Sequence, residues 1–91
     1  MASTYGAVTV QSASPTLIIG ANGYRKGTLI TNNSTVTIYL GFDSSVTTST
    51  GTPVLASGYF RNSGERDAWR GDIYGIAASS TANVRYMEWQ T

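Results

Sequence analysis

Hydrophobic and polar residues alternate along much of this chain with a period of two, which indicates β-strands. The clearest case is Thr35–Phe42 (TVTIYLGF), where Val36, Ile38 and Leu40 share one face. Successive strand residues point to opposite sides of a sheet, so this face is predicted to lie in a hydrophobic core. No segment shows the 3.6-residue period of an amphipathic helix.

Turn signals divide the rest of the chain into further short strands. Strands are predicted at Tyr5–Gln11, Thr16–Gly20, Gly27–Thr31, Thr35–Phe42, Gly58–Asn62, Ala68–Arg70, Ile73–Ala78 and Ala82–Gln90, with an extended piece at 53–55. The turn signals recur at intervals of roughly 8–12 residues, which is typical of sandwiches and barrels. The predicted fold is all-β: an antiparallel β-sandwich or jelly-roll-like barrel of about seven to eight short strands.

The segments between the strands are polar, and their residues suit turns. Asn22-Gly23 is a strong tight-turn signal, because both residues tolerate positive φ. Arg25-Lys26 follows it and is predicted to lie at the surface. The loop Asp43–Thr52 has one large apolar residue, Val46, which we expect to close the end of the core while hydroxyl groups hold the loop backbone.

The last predicted strand carries large side chains on both faces. One face has Val84, Tyr86 and Glu88, and the other has Arg85, Met87 and Trp89. Two interpretations stay open. Either the second face is covered by a neighbouring subunit, or this is an edge strand whose Trp89 folds over the rim of the core.

The composition agrees with strands and with one domain spanning residues 1–91. Thr and Ser number 24 and Val and Ile 12, against four Leu, two Glu and one Lys. Branched residues of this kind favour a pleated, half-buried surface. A chain of this length has a thin core, and without cysteine it has no disulfide to reinforce it. Oligomerisation or docking on a partner is one route by which such a small fold gains stability.

The charge pattern argues against nucleic acid and membranes as partners. Six basic and five acidic residues give a net charge of +1, which supplies no basic footprint for nucleic acid or anionic lipid. No apolar run approaches the roughly 20 residues that span a bilayer. The N-terminus, MASTYGAVTV, lacks the basic and apolar regions of a signal peptide, so none is expected.

The residue types that commonly perform catalysis are scarce. The chain has no His and no Cys, and its one Lys is at a predicted turn. Its Ser and Thr residues therefore lack the usual base that would activate a hydroxyl nucleophile. Paired carboxylates of the glycosidase kind need a cleft, for which a domain this small has little room. We therefore predict that the protein is not an enzyme, and we read its acidic residues as surface charges and turn residues.

The sequence gives only weak signals for calcium binding, N-glycosylation and sugar binding. Glu65 and Asp67 share a loop and Asp43 begins another, but neither loop has the spacing of a calcium site, so no metal and no cofactor is predicted. Asn32–Thr35 contains two overlapping glycosylation sequons, which are better explained as a hairpin turn. A sugar-binding face would need exposed aromatic residues side by side; the candidates are Tyr24, Tyr39, Tyr59, Trp69 and Trp89. Sugar binding is the minority interpretation, and any other small-molecule ligand is not expected.

Arg70-Gly71-Asp72 is the tripeptide of a cell-adhesion motif. An adhesion role requires a protruding loop that presents both charges, whereas here the tripeptide lies between Trp69 and the apolar Ile73. A three-residue match also occurs often by chance. The favoured interpretation is structural: Gly71 eases a bend, and Arg70 and Asp72 are charges at the rim, where they could meet a partner.

Two longer stretches of the chain are LITNNSTVTIYLGFDSSVTTSTGTPV and WRGDIYGIAASSTANVRYMEW. Within them, the pieces Val36–Gly41, Ser45–Pro53 and Ile73–Trp89 resemble a pattern in small structural proteins of tailed bacteriophages. The resemblance spans roughly residues 27–89. The chain departs from the pattern at residues 53–58, which are one residue longer, and at residues 61–72 (RNSGERDAWRGD), which are longer and more charged.

The resemblance implies a structural protein of the virion, and most simply a capsid decoration protein made in the host cytoplasm and placed on the capsid surface. Its expected partners are the major capsid protein and copies of itself, as trimers in the simplest case. A polar N-terminal arm at residues 1–4 is expected to lie across a neighbour. The candidate interface residues are Met1, Ala2, Ser3, Thr4, Trp69, Arg70, Asp72, Met87 and Trp89. The alternative is a tail, fibre or connector-associated β-domain that binds a receptor or a carbohydrate.

Overall fold

The computed structural model describes residues 2–64 and 68–90, and these residues form eight strands and no helix. The strands are β1 (Ala2–Gln11), β2 (Thr16–Ile19), β3 (Gly27–Asn32), β4 (Ile38–Gly41), β5 (Thr52–Val54), β6 (Tyr59–Ser63), β7 (Ile73–Ala77) and β8 (Thr81–Gln90). The all-β prediction is confirmed. Within the described ranges no helix has the length and apolarity needed to cross a membrane.

The strands form two four-stranded sheets in which every pairing is antiparallel. The first sheet has the order β1-β8-β3-β6 and the second has the order β2-β7-β4-β5. The strand pairs are nested along the sequence. The first strand pairs with the last (β1 with β8), the second with the seventh (β2 with β7), and so on to β3 with β6 and β4 with β5. This wrapped arrangement of eight strands is the jelly roll, one of the two architectures predicted from the sequence.

The core lies between the two sheets and consists mainly of β-branched residues. The most deeply buried apolar side chains are those of Val10, Ile30, Ile38, Ile73 and Val84, each at most 1% exposed. The predicted buried face of the Thr35–Phe42 segment is confirmed, because Ile38 and Leu40 are buried and Val36 packs against the core, but the strand itself is shorter than predicted and spans Ile38–Gly41. Burying a side chain of this size contributes roughly 1.5–3 kcal/mol.

The loop after β4 agrees with the prediction in part. Val46 is buried beside Gly41, where a Cβ atom would meet the valine side chain at 2.6 Å. Hydroxyl groups hold the loop backbone: Thr47 Oγ1 accepts hydrogen bonds from the amides of Ser49 and Thr50. Val46 is buried, but it packs beside Gly41 and Gly51, on the side of β4 opposite to the core residues Ile38 and Leu40, so the prediction that it closes the end of the core is wrong.

Two predicted segments differ in the structure. The predicted N-terminal arm is wrong for residues 2–4, because they begin β1 and pair with Gln90, Trp89 and Glu88 of the same chain. Ala68–Arg70 is not a strand, because its backbone is bonded to turns and side chains. The amide of Trp69 donates to Asn62 Oδ1, and the carbonyl of Arg70 accepts from the amide of Asn22.

Candidate interaction surface

The side of the first sheet that faces away from the core carries several exposed aromatic, methionine and arginine side chains. We call this surface the outer face. It consists of alternate residues on four neighbouring strands, and at one end it continues into the polar pair Thr9 and Asn83; its other main residues are Tyr5, Ala7, Gly27, Leu29, Thr31, Tyr59, Arg61, Arg85, Met87 and Trp89. Residues of the opposite parity, such as Val10, Ile30 and Val84, are in the core.

Strand register arranges the outer face in rows that run across the sheet. One row joins Tyr5, Met87, Leu29 and Arg61 on β1, β8, β3 and β6 in turn. The next row joins Ala7, Arg85, Thr31 and Tyr59 in the same strand order. Side chains that are direct cross-strand neighbours are about 4.5–5.5 Å apart at Cβ, so the members of each row are neighbours on the sheet surface.

The centre of this face is apolar and shallowly concave. Tyr5 is 81% exposed, Tyr59 69% and Met87 42%, so large apolar groups are presented to solvent. A depression of about 250 Å³ is lined by Tyr5, Gly6, Leu29, Thr31, Arg85, Tyr86 and Met87. An exposed apolar patch rimmed by polar groups is typical of an interaction site.

The charge on the outer face is entirely basic within the described part of the chain. Arg61 and Arg85 are both exposed there, whereas the described acidic residues, Asp43, Asp72 and Glu88, lie elsewhere. Tyr, Trp, Met and Arg are the residue types enriched at the cores of protein interfaces, and Lys, Asp and Glu are depleted there. The outer face has this composition.

Trp89 owes its position to a glycine on the neighbouring strand. Its cross-strand partner is Gly27, and the indole lies where a Cβ atom of residue 27 would be. The guanidinium carbon of Arg61 lies 5.5 Å from the centre of the Trp89 ring, within the range of a cation–π contact. Trp89 is therefore half-buried across the sheet surface, with Arg61 beside it.

A buried arginine lies on the opposite side of the sheet from Trp89, next to the end of β8. Arg25 is completely inaccessible to solvent, and its Nε donates to Glu88 Oε1 at 2.7 Å. Its other nitrogens donate to backbone carbonyls: Nη1 to Trp69 and Gly71, both at 2.9 Å, and Nη2 to Gly20. The prediction that Arg25 lies at the surface is wrong, and so is the reading of Glu88 as a surface charge.

These bonds hold the Trp69–Asp72 segment, which contains the adhesion-like tripeptide. Asp72 Oδ1 accepts from the amide of Ala21 at 2.8 Å, and the Asp72 carbonyl accepts from Trp69 Nε1 at 2.8 Å. Gly71 allows the indole to fold back, since a Cβ atom there would lie 2.7 Å from Trp69 Cζ2. The indole also stacks on Phe42, with ring centres 4.2 Å apart. The segment is thus fastened across the end of the sandwich and does not protrude as a loop.

The predicted interface residues fall into two groups. Met87 and Trp89 lie on the outer face, and Trp69, Arg70 and Asp72 lie at the end of the sandwich near Arg25. Ala2 and Ser3 contribute backbone pairing in β1, and Thr4 is exposed opposite Glu88. Met1 lies outside the described residues.

Several outer-face residues are absent from the predicted interface, although Tyr59 was predicted as a candidate for sugar stacking and Arg85 as a neighbour of Met87 and Trp89 on the last strand. Tyr5, Leu29, Tyr59, Arg61 and Arg85 belong to four strands whose order along the chain differs from their order in the sheet. The sequence indicated this surface only through β8, which carries large side chains on both faces. The structure excludes one of the two interpretations of that pattern. β8 is a central strand between β1 and β3, so the edge-strand interpretation is wrong.

The other candidate chemistries find little support in the described residues. No cluster of three metal-binding side chains occurs in residues 2–64 and 68–90, and Glu65 and Asp67 lie outside them. Asn32, the first residue of the overlapping sequons, is 1% exposed, and its amide nitrogen donates to the carbonyls of Val36, Val54 and Leu55. A glycan cannot be attached to that nitrogen in the folded protein.

Comparison with known proteins gives no match: no family model, no curated protein and no solved structure is similar to this chain.

Proposed function

We propose that this protein is a structural component of a bacteriophage virion, and that it acts as a non-enzymatic capsid decoration protein. In this role it docks on major capsid subunits and stabilises the shell. The proposal rests on the resemblance of residues 27–89 to small phage structural proteins and on one structural observation. That observation is the outer face, which has an apolar centre, two exposed arginines and no described acidic residue.

The apolar part of the outer face supplies a driving force for docking. Tyr5, Tyr59 and Met87 are all more than 40% exposed in the single chain. Fully burying one large apolar side chain contributes roughly 1.5–3 kcal/mol, while association itself costs at least about 4 kcal/mol. Several such residues on one face are enough to favour binding, and a shell that offers many equivalent sites adds avidity for linked copies.

The arginines indicate the charge of the surface that binds here. Arg61 and Arg85 lie on neighbouring rows of the outer face and flank the apolar centre. A complementary capsid surface would present acidic groups around an apolar patch. Such charge pairs at a rim act mainly on the association rate and on specificity, and they weaken as salt is added.

The fold is compatible with this role by analogy alone. Jelly rolls occur in viral capsid domains and also in lectins, so the architecture favours neither function by itself. The residues of the outer face are what distinguish a capsid role from a lectin role.

The proposal is tested on particles of the phage that carries this gene. We expect mass spectrometry to find the chain in purified particles, and cryo-microscopy to place it on the capsid with the outer face against the shell. Absence from purified particles would reject any virion role. Density on the tail alone would reject decoration and leave a virion role.

A binding experiment then isolates the outer face. Particles stripped of this chain are incubated with wild-type protein, with Tyr59→Ala and with Tyr24→Ala. Tyr24 is a matched control because it is 79% exposed, against 69% for Tyr59, but belongs to the turn before β3. We expect Tyr59→Ala to weaken docking at least tenfold and Tyr24→Ala to leave it unchanged. Equal binding by both variants would exclude the outer face as the docking surface.

A carbohydrate- or receptor-binding role in a tail or fibre is the second candidate, since Tyr5, Tyr59 and Trp89 do lie on one face. The distance between these aromatic residues makes sugar binding the weaker candidate. Tyr5 and Tyr59 are on the two edge strands, which are separated by three strand spacings of about 4.8 Å each, and Leu29 and Met87 lie between them. Binding of the isolated protein on a glycan array, lost in Tyr59→Ala and kept in Tyr24→Ala, would establish this candidate.

A further inference from the structure

The first strand, β1, has a long open edge. β1 pairs with β8 over ten consecutive residue pairs, from Ala2 with Gln90 to Gln11 with Thr81, without a bulge. In the part of the chain that the structure describes, no strand pairs with its other side. Ten residues of strand extend about 33 Å, so this edge runs along most of the 36 Å long axis of the molecule.

The open edge presents backbone groups that can form hydrogen bonds. In an antiparallel pair, alternate residues direct their N–H and C=O groups away from the partner strand. The amide of Gln11 points away from β8, because it donates to Thr16 Oγ1 at 3.1 Å. The period of two places the backbone groups of Ser3, Tyr5, Ala7 and Thr9 on the same open side.

The other three edges of the sandwich are protected, and β1 is not. Natural proteins guard sheet edges with short strands, bulges, prolines or charges. β2 has four residues and an irregular register between Leu17 and Ile19; β5 has three residues, one of them Pro53; and β6 carries Arg61. The ten residues of β1, ASTYGAVTVQ, include no charge and no proline.

We infer that β1 is a self-association edge, which pairs antiparallel with β1 of a second copy about a two-fold axis. The occupant is a second copy because the edge is uncharged: it offers no charge to attract a charged partner, and two copies do not repel each other. A two-fold interface uses the same surface on both subunits, and antiparallel strand pairing satisfies that symmetry. The two first sheets then become one eight-stranded sheet.

This arrangement also places the two outer faces side by side. The axis is perpendicular to the sheet, so both outer faces point in the same direction. Tyr5, which is 81% exposed in the single chain, lies beside the joint. The pairing does not depend on the virion role, but in that role it would present two docking faces to one shell.

The test compares two lysine variants of one cross-strand pair. Thr9 and Asn83 are partners on the same side of the sheet and both are exposed, but Thr9 is on the edge strand and Asn83 is on the central strand. Light scattering after size exclusion, over a range of concentrations, gives the mass of wild type, Thr9→Lys and Asn83→Lys. Circular dichroism confirms that each variant is folded.

We expect wild type and Asn83→Lys to reach the mass of two chains. An added charge on an edge opposes strand pairing, so we expect Thr9→Lys to raise the dissociation constant of the dimer at least tenfold. A wild type that stays monomeric, a trimer mass, or equal dissociation constants for the two variants would overturn the inference.

A second measurement does not depend on a variant that folds. Amide hydrogen exchange of wild type is compared at high and low protein concentration. We expect the amides of Tyr5, Ala7 and Thr9 to exchange more slowly at high concentration, and unchanged exchange at the dimer concentration would overturn the inference. Docking on particles reports separately on the proposed function, since a dimer that fails to dock rejects only that function.

Discussion

Arg25 and Glu88, which are 63 residues apart in the chain, form a buried ion pair in which Arg25 Nε donates to Glu88 Oε1 at 2.7 Å. Arg25 also donates to the carbonyls of Gly20, Trp69 and Gly71. A buried charge is tolerated when its partner and its remaining hydrogen bonds are in place. This one arginine therefore connects the turn before β3, the end of β8 and the segment before β7.

Replacing Arg25 by Met should destabilise the protein strongly. It would leave the Glu88 carboxylate buried without a partner and three carbonyls without a donor. Removing one member of a buried pair typically costs about 3–5 kcal/mol. Urea unfolding followed by circular dichroism measures the loss as a difference in the free energy of unfolding.

Two further variants identify the cause of that loss. Lys26→Met removes a neighbouring charge that is only half-buried, and surface changes of this kind usually stay within about 0.5 kcal/mol. Arg25→Met combined with Glu88→Met should be less damaging than the sum of the two single changes, because the unpaired carboxylate is gone. Equal losses for Arg25→Met and Lys26→Met would show that the pair is unimportant.

Replacing Gly27 by Ala should displace Trp89 from the sheet surface. The added methyl group would occupy the place of the indole ring. Alanine normally suits a strand better than glycine by about 0.5–1 kcal/mol, whereas forcing atoms into an occupied space costs about 1–3 kcal/mol. We therefore expect a net loss of stability and a change in the near-ultraviolet circular dichroism of tryptophan.

Gly23→Ala is the control for this change, because a Cβ atom at Gly23 meets no atom within 4 Å. We expect its tryptophan signal to match that of wild type. If Gly27→Ala were as stable as Gly23→Ala and kept the wild-type signal, the proposed contact between Gly27 and Trp89 would be wrong.

The sequence carried enough information to predict the fold class but too little to predict the arrangement of the outer face. The alternation in Thr35–Phe42 predicted a buried face because strand periodicity is a local property, and Ile38 and Leu40 are indeed buried. Strand order is not local. Tyr5 and Tyr59 share a surface only because β8 and β3 lie between their strands.

Arg25 shows a second limit of sequence interpretation. An arginine next to a lysine, just after an Asn-Gly turn, has the local pattern of a surface charge. Its burial depends on Glu88 and on carbonyls from two distant segments, which no spacing rule brings together. Asn32 is similar. Its local pattern indicated a turn, but its side chain is buried and donates hydrogen bonds to backbone carbonyls.

Replacing Asn32 by Asp should be far more damaging than the same change at Asn33. The Asn32 amide donates to three carbonyls, and its Oδ1 accepts from Ser34 Oγ at 2.6 Å. Aspartate would lose the donors and place a charge against carbonyl oxygens, which by analogy with other unpaired buried charges costs about 3–5 kcal/mol. Asn33 is exposed, so its variant should lose less than about 0.5 kcal/mol in urea unfolding. Similar losses at the two positions would contradict this account.

Replacing Asp72 by Ala should lower stability rather than abolish an adhesion activity. Asp72 Oδ1 accepts from the amide of Ala21, and loss of one such bond to a charged acceptor costs about 1.5–3 kcal/mol when buried and less here, where the bond is exposed. In a cell-attachment assay we expect wild-type protein and Asp72→Glu to stay at background, because the tripeptide is fastened to the end of the sandwich. Attachment to wild type that is lost in Asp72→Glu would reverse this conclusion.

The Asp43 carboxylate should titrate below its usual pKa, with a small and defined effect on stability. Its Oδ1 accepts hydrogen bonds from Ser45 Oγ at 2.6 Å and from the Ser45 amide at 2.9 Å, and both bonds lower the pKa of Asp43 from its usual 3.8. Because the folded-state pKa is depressed, the stabilisation is present above pH 3.8 and is lost as the pH falls through the folded-state pKa.

Carbon-13 NMR titration of this carboxyl group, which is fully exposed, measures the shift directly. Ser45→Ala removes the larger contribution, so it should raise the pKa of Asp43 toward 3.8 while the remaining amide bond keeps it lower. Ser44→Ala, which leaves both bonds in place, should not change it. An Asp43 that titrates at the same pH in wild type and in Ser45→Ala would show that the Ser45 hydroxyl does not hold the Asp43 carboxylate in solution.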